Sequence, residues 1–172
     1  MRTLQIIRKT LDRSLETLVV LVMAVLVLDV SWQVFTRFIL KDPSIWTDEL
    51  ATFLLIWVSL LGAAVALKRG AHLGMDYFVE RMSPNRRLYV AVFVYLCTGL
   101  FSLLVMTVGG ATLVVRKLQL QETSPALGLD LGYVYLALPI SGFFLTIYSI
   151  ELLVDSVRAL LRATAPAAGK PE

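Results

Sequence analysis

Twenty-eight consecutive residues, Leu88 to Val115, carry no charge, and two other stretches repeat the pattern: Leu50 to Leu67 with 18 residues and Leu131 to Ile150 with 20. A helix rises ~1.5 Å per residue, so about 20 apolar residues cross a bilayer. The chain is 58% hydrophobic and only 17% charged, too apolar for an ordinary soluble domain of this size. A fourth run is interrupted. Thr17 to Leu28 is uncharged, Asp29 intervenes, and Val30 to Thr36 follows. With no Gly or Pro nearby, one acid does not end a helix, so Ser14 to Leu40 reads as a single span. The fold class that follows is an all-α membrane protein with four transmembrane helices, at about 14–40, 46–67, 85–115 and 131–154, in a membrane domain of 14–162.

The basic residues orient these spans. Arg2, Arg8, Lys9 and Arg13, then Lys68, Arg69, Arg81, Arg86 and Arg87, then Arg158, Arg162 and Lys170 all fall on one side. The other side holds Arg37, Lys41, Arg116 and Lys117, giving twelve against four. Lys and Arg accumulate on the cytoplasmic side, so both termini belong there and the chain is multi-pass, N-in and C-in. The net charge of +3 thus follows topology and is no nucleic-acid signal. Arg2, Arg8 and Lys9 before Leu18 to Leu28 have the outline of a signal peptide, but Asp29 follows and no small-x-small cleavage site is present.

Between the spans the pattern becomes amphipathic. In segment 1–13 and just beyond it, Leu4, Ile7, Leu11, Leu15 and Leu18 are spaced by three or four. A basic helix of this kind is expected to lie on the cytoplasmic surface before turning inward. A second interfacial helix is expected over about 72–82, with Met75, Phe78, Val79 and Met82 on one stripe and His72, Asp76 and Glu80 on another. Ser83-Pro84 then starts span 3. Its uncharged run reaches roughly 42 Å as a helix, more than the ~30 Å core, so it must tilt or project. Pro139 predicts a kink in span 4. Ser59, Gly62, Ala63 and Ala66 form a small-residue face suited to close packing. Residues 163–172, rich in Ala and Pro, read as a disordered tail.

Few residues offer chemistry. Cys97 is the one cysteine and makes neither a disulfide nor a CxxC pair. His72 is the one histidine, too few for zinc or for bis-histidine haem. No phosphate loop and no nucleophile–base constellation is present. No catalytic, cofactor or metal site is therefore expected, and the chain does not read as an enzyme. Asp29, near the middle of span 1, is either a coupling acid for protons or cations or, the reading we favour, a polar contact to another helix or a partner subunit. Arg37, Trp46, Asp48 and Glu49 gather at the outer ends of spans 1 and 2. A loop this short brings Arg37 within reach of Glu49 or Asp48, while Ser44 is placed to cap the second helix and the two acids sit near its positive end. Each also has a purely interfacial explanation.

Gln33-Val-Phe-Thr-Arg37, Trp46-Thr-Asp-Glu49, Trp57, Gly62 and Lys68-Arg-Gly-Ala-His72-Leu-Gly-Met-Asp76 form an ordered set. With the weaker blocks Thr123-Ser-Pro-Ala-Leu127 and Tyr135-Leu-Ala-Leu-Pro139, the pattern resembles the small membrane subunit (DctQ-like) of tripartite ATP-independent periplasmic (TRAP) transporters, from span 1 to span 4. The resemblance implies a periplasmic binding protein that captures an organic acid and a large polytopic membrane subunit that moves it with sodium. It also implies that the small subunit binds the large one as scaffold in the bacterial inner membrane. Carried over, Arg37, Trp46, Asp48 and Glu49 belong to the signature at the outer ends, and His72 and Asp76 to the one after span 2. They imply subunit contacts, not substrate ligation. Sodium coupling is expected in the large subunit, and the substrate is a dicarboxylate, a sugar acid or a sialic acid. Asp29 departs from the family pattern and inherits no role.

Two other readings compete. A homodimeric four-helix proton-coupled exporter would use Asp29, but antiparallel dimers of that type need a weak charge bias, and the cytoplasmic connection is long. A membrane redox subunit would need more ligands than one His and one Cys.

Overall fold

Residues 2–35 contain neither glycine nor proline, and a computed structural model, which describes residues 2–42, 44–69 and 84–164, shows them as one helix, α1 (Arg2–Phe35). It crosses the boundary expected at residues 13 and 14 without a break, so the anticipated inward turn is absent. A π-helical turn, Thr36–Leu40, closes span 1. Span 2 is α2 (Ile45–Lys68), within one residue of its expected limits. Residues 70–83 lie outside the described residues, and with them the expected interfacial helix over 72–82, His72 and Asp76. The same holds for 165–172, most of the expected tail.

Span 3 is one long rod in three parts: α3 (Pro84–Phe101), a π-helical stretch (Ser102–Gly109) and α4 (Gly110–Gln119). Wider winding loosens backbone carbonyls, which other donors then satisfy. Thr107 Oγ1 donates to the Ser102 carbonyl, five residues back, at 2.9 Å. Span 4 does break where its proline predicts. α5 (Leu131–Tyr135) ends at Leu136 and α6 (Ala137–Thr164) continues. Pro139 has no N–H to give Tyr135, and its ring crowds that carbonyl. Hydrogen bonding resumes with the Ile140 N–H to Leu136 at 3.2 Å. The helix then runs ten residues beyond the expected end at 154. Among the described residues, four segments are long and apolar enough to cross a membrane: Leu11–Leu40, Ile45–Lys68, Arg86–Gln119 and Leu131–Arg162.

Their packing order differs from their sequence order. α1 packs on α2, α2 on α6, and α6 on α3 and the π-helical stretch. The spans therefore stand in an open row, 1–2–4–3, with spans 1 and 3 at its ends. Burial follows from that position. The most apolar part of span 4 is 39% buried, against 6% for spans 1 and 3. The core lies where three helices meet, with Leu15, Leu61, Ala64, Leu67, Leu145 and Tyr148.

Small residues set the tightest contact, between spans 3 and 4. Gly99, Ser102, Met106 and Gly110 face Ser149, Thr146, Gly142 and Pro139 at helical spacing on both sides. Ser102 Oγ and Thr146 Oγ1 lie 2.9 Å apart and share a hydrogen bond. A Cβ at Gly142 would stand 2.7 Å from Met106 Cβ and 2.9 Å from the Thr107 backbone nitrogen. In lipid, such seams gain van der Waals contact by close backbone approach. The small-residue face expected on span 2 is not used this way: Ser59 and Ala63 are exposed, and nothing lies within 4 Å of a Cβ built at Gly62.

Candidate functional site

At the end of the row that carries the 41–44 connection, backbone geometry brings α1 and α2 together. Lys41 takes the left-handed conformation, φ 55°, and its N–H closes on the Thr36 carbonyl. Ser44 occupies the N-cap position of α2, but makes no capping bond to the backbone. Its hydroxyl pairs instead with that of buried Thr47 at 2.8 Å, and Thr47 Oγ1 also lies 2.8 Å from the Ser44 carbonyl. The expected side-chain cap is thus replaced by a hydroxyl pair.

The first turn of α2 then points two carboxylates in different directions. Asp48 accepts a hydrogen bond from Gln33 Nε2 on α1. Glu49 Oε2 accepts two, from the Ala126 N–H at 3.1 Å and the Leu127 N–H at 2.9 Å. These amides are at the tip of the span 3–4 loop, which folds on itself. The Ser124 N–H donates to Leu129 at 2.8 Å and the Gly128 N–H to Ser124 at 3.0 Å. Gly128 sits at φ 65°, where a side chain would be strained. The turn leaves two adjacent donors pointing outward, and one carboxylate takes both. Trp46, 42% exposed, flanks an open groove with Pro125 and Ala126.

Arg37 does not join this cluster. It is exposed and forms no ion pair with Asp48 or Glu49 among the described residues. The bridge that the short loop allowed does not form: Asp48 is taken by Gln33 and Glu49 by the amides of the span 3–4 loop. Sequence reading missed Gln33 as a partner, since an amide in an apolar run carries no charge signal. It also missed the loop amides, which no side-chain pattern reveals.

A second polar cluster lies at the opposite end of α2. Lys68 Nζ is 2.6 Å from Asp12 Oδ2, and Tyr148 Oη donates to Asp12 Oδ1 at 2.8 Å. Lys68 also lies 5.8 Å from the Tyr148 ring centroid. One residue each from α1, α2 and α6 therefore meet, beside the core. Asp12 is 13% exposed and Lys68 28%. Arg69 pairs with Glu16 at 3.3 Å, more in the open. In the sequence, Lys68 and Arg69 register as topology charges and Asp12 and Glu16 as the polar face of a surface helix.

Removing one partner of a nearly buried pair leaves the other underpaired, at about 1–3 kcal/mol. Lys68→Met is expected to lower thermal stability in detergent by that order. Arg69→Ala breaks an exposed pair and is expected to cost at most about 1 kcal/mol. Unfolding followed by circular dichroism distinguishes the two; equal losses would contradict the cluster's importance.

Asp29 lies between the clusters. It is 6% exposed, and neither carboxylate oxygen has a hydrogen-bond partner among the described residues. No group of three His, Cys, Asp or Glu is placed to hold a metal among those residues.

The family model of the DctQ component of tripartite ATP-independent periplasmic transporters matches residues 23–159. This chain belongs to that family. It is 27% identical to the sialic acid TRAP transporter small permease protein SiaQ of Vibrio cholerae, over 95% of this chain and 93% of the relative. It is 32% identical to the C4-dicarboxylate TRAP transporter small permease protein DctQ of Rhodobacter capsulatus, over 57% of this chain and 43% of the relative. It is 32% identical to the isethionate TRAP transporter permease protein DctMQ of Oleidesulfovibrio alaskensis, over 67% of this chain but 18% of that longer protein. As a DctQ-family protein with four apolar spans, the chain is a multi-pass membrane protein of a TRAP transporter. Two sequence blocks that are 70 residues and more apart, Trp46–Glu49 and Thr123–Leu127, meet at the Glu49 contact.

Proposed function

We propose that this DctQ-family chain is the scaffold subunit of a sodium-coupled importer of an organic acid, and that it binds and stabilises the large transport subunit. The open row of helices carries this reading. A self-sufficient transporter encloses a polar path between its helices, whereas here the two end spans are 6% buried in their most apolar parts and expose large apolar side chains along their length. Spans 1 and 3 each show such a face, with Leu21, Val25 and Leu28 on one and Phe93, Leu96 and Leu100 on the other. Packing surface of this kind suits a larger membrane partner as well as lipid. The isethionate relative supports the pairing, because its name joins M and Q in one permease protein of which this chain matches 18%.

Placed in a bacterial inner membrane with both termini in the cytoplasm, the Glu49 end faces the periplasm. There the 120–130 loop and Trp46 lie on the side where a substrate-binding protein docks. The substrate is a sialic acid, a C4-dicarboxylate or a related sugar acid, the first two being what the relatives' names give for those proteins.

Reconstitution tests the proposal. The large subunit with this chain and the binding protein is expected to take up the organic acid down a sodium gradient, and this chain alone is expected to transport nothing. Proton-driven efflux by this chain alone would overturn the proposal in favour of the exporter. Because Arg37 and Glu49 do not pair, their alanine variants should each weaken association with the large subunit, and the double variant should equal their sum within about 0.5 kcal/mol. A larger coupling in a binding assay would show that the two act as one unit.

A further inference from the structure

Asp29 is buried, yet none of the described groups compensates it. Both its oxygens lack a hydrogen-bond partner, and it lies eleven residues from Leu40, the end of span 1. By helix rise that is about 16 Å, near the middle of a ~30 Å core. α1 packs against α2, and Gln33 reaches Asp48 across this end, so the candidate groups are those of these two helices. On α2 the charged residues of the nearer half are Asp48, itself an acid, and Glu49, which is turned to the loop amides. On α1 the nearest cation is Arg37, two turns away and exposed. Lys68 and Arg69 are committed at the other end. A bare carboxylate in such surroundings costs several kcal/mol even after relaxation. A metal ion needs several converging ligands, and no group of three is present among the described residues. A proton needs only one oxygen.

Polar groups lead from the surface toward this position, with no hydrogen bond to Asp29 itself. Gln33 is one turn from Asp29 on the same face of α1, and it donates to Asp48. Exposure falls in the same order, from exposed Asp48 through half-buried Gln33 to buried Asp29. We propose that Asp29 is a proton-binding site inside the membrane, held as the neutral carboxylic acid and reached from the 41–44 end through Gln33 and Asp48. The site requires only that span 1 crosses the bilayer beside span 2, and stands whether or not the scaffold reading does.

Infrared difference spectroscopy on the full chain in lipid bilayers tests it, using wild type minus Asp29→Asn at neutral pH. A protonated-carboxyl C=O band that shifts in heavy water is expected, and it should persist in Asp48→Asn. Wild-type carboxylate bands alone would overturn the proposal. Replacing sodium by choline should leave the band unchanged. A band that appears only without sodium would reveal a cation site and overturn the proton assignment. Gln33→Leu should slow deuteration of the band at least tenfold, and an unchanged rate would overturn the route. Should Asp29→Asn not fold, wild type alone suffices: dicyclohexylcarbodiimide, which attacks protonated carboxyls in apolar surroundings, should label the peptide carrying Asp29. Absence of that adduct would count against the site.

Discussion

Gly142→Ala should destabilise the purified chain by about 1–3 kcal/mol, and Gly142→Leu should prevent the fourth span from seating on the third. The reason is geometric. A single added carbon at residue 142 meets Met106 Cβ at 2.7 Å, Thr107 Oγ1 at 2.7 Å and the Thr107 backbone nitrogen at 2.9 Å. The backbone nitrogen cannot turn aside as a side-chain tip can, so α6 must move away. Moving it separates Ser102 from Thr146 and opens the seam at Gly99 and Gly110 as well. Gly62→Ala is the matched control: with nothing within 4 Å, the methyl group meets no atom, and alanine favours the helix by up to about 1 kcal/mol. Thermal unfolding in detergent measures both. Equal effects at the two glycines would contradict the close crossing of spans 3 and 4.

Glu49→Ala should free the tip of the 120–130 loop. The carboxylate accepts two hydrogen bonds from backbone amides, and bonds to a charged group contribute about 1.5–3 kcal/mol each when shielded. Glu49 is only half-buried, so the lower end of that range applies to the pair together. At 1.4 kcal/mol per tenfold, amide hydrogen exchange at Ala126 and Leu127 should quicken by roughly tenfold. Glu49→Gln keeps an acceptor oxygen and should fall between. Exchange elsewhere in spans 3 and 4 should stay the same, which separates release of the loop from general unfolding. Since Trp46, Pro125 and Ala126 line one groove, the same variant should also weaken association with the large subunit.

The spans were legible because the cost of a charge in hydrocarbon is written into composition. Runs without Lys, Arg, Asp or Glu placed three of them, the absence of Gly and Pro carried span 1 across Asp29, and Pro139 gave the break in span 4. Helix order was not legible: nothing in the spacing of Leu88 to Val115 says that span 3 packs on span 4 and not on span 1. The seam itself is small residues at helical spacing on both partners, a signal as strong at Ser59, Gly62, Ala63 and Ala66, where no packing follows. At the polar ends, charges could be paired only by loop length. That reasoning put Arg37 within reach of Glu49 or Asp48, whereas backbone donors at Ala126 and Leu127, silent in sequence, hold Glu49 and Gln33 holds Asp48. The Asp12–Lys68–Tyr148 cluster escaped for a related reason. Its members come from three helices and stand 56 and 80 residues apart along the chain. Asp29 stood out in both sequence and structure, and the structure added what the sequence lacked, its burial and the lack of a hydrogen-bond partner among the described residues.

Purification of this chain from its native membrane in a mild detergent, with mass spectrometry of everything that elutes beside it, bears most directly on the scaffold role. A large polytopic TRAP subunit should appear in equal amount, and Glu49→Ala should reduce its recovery. Elution of this chain alone, or as a dimer of itself, would contradict the scaffold reading.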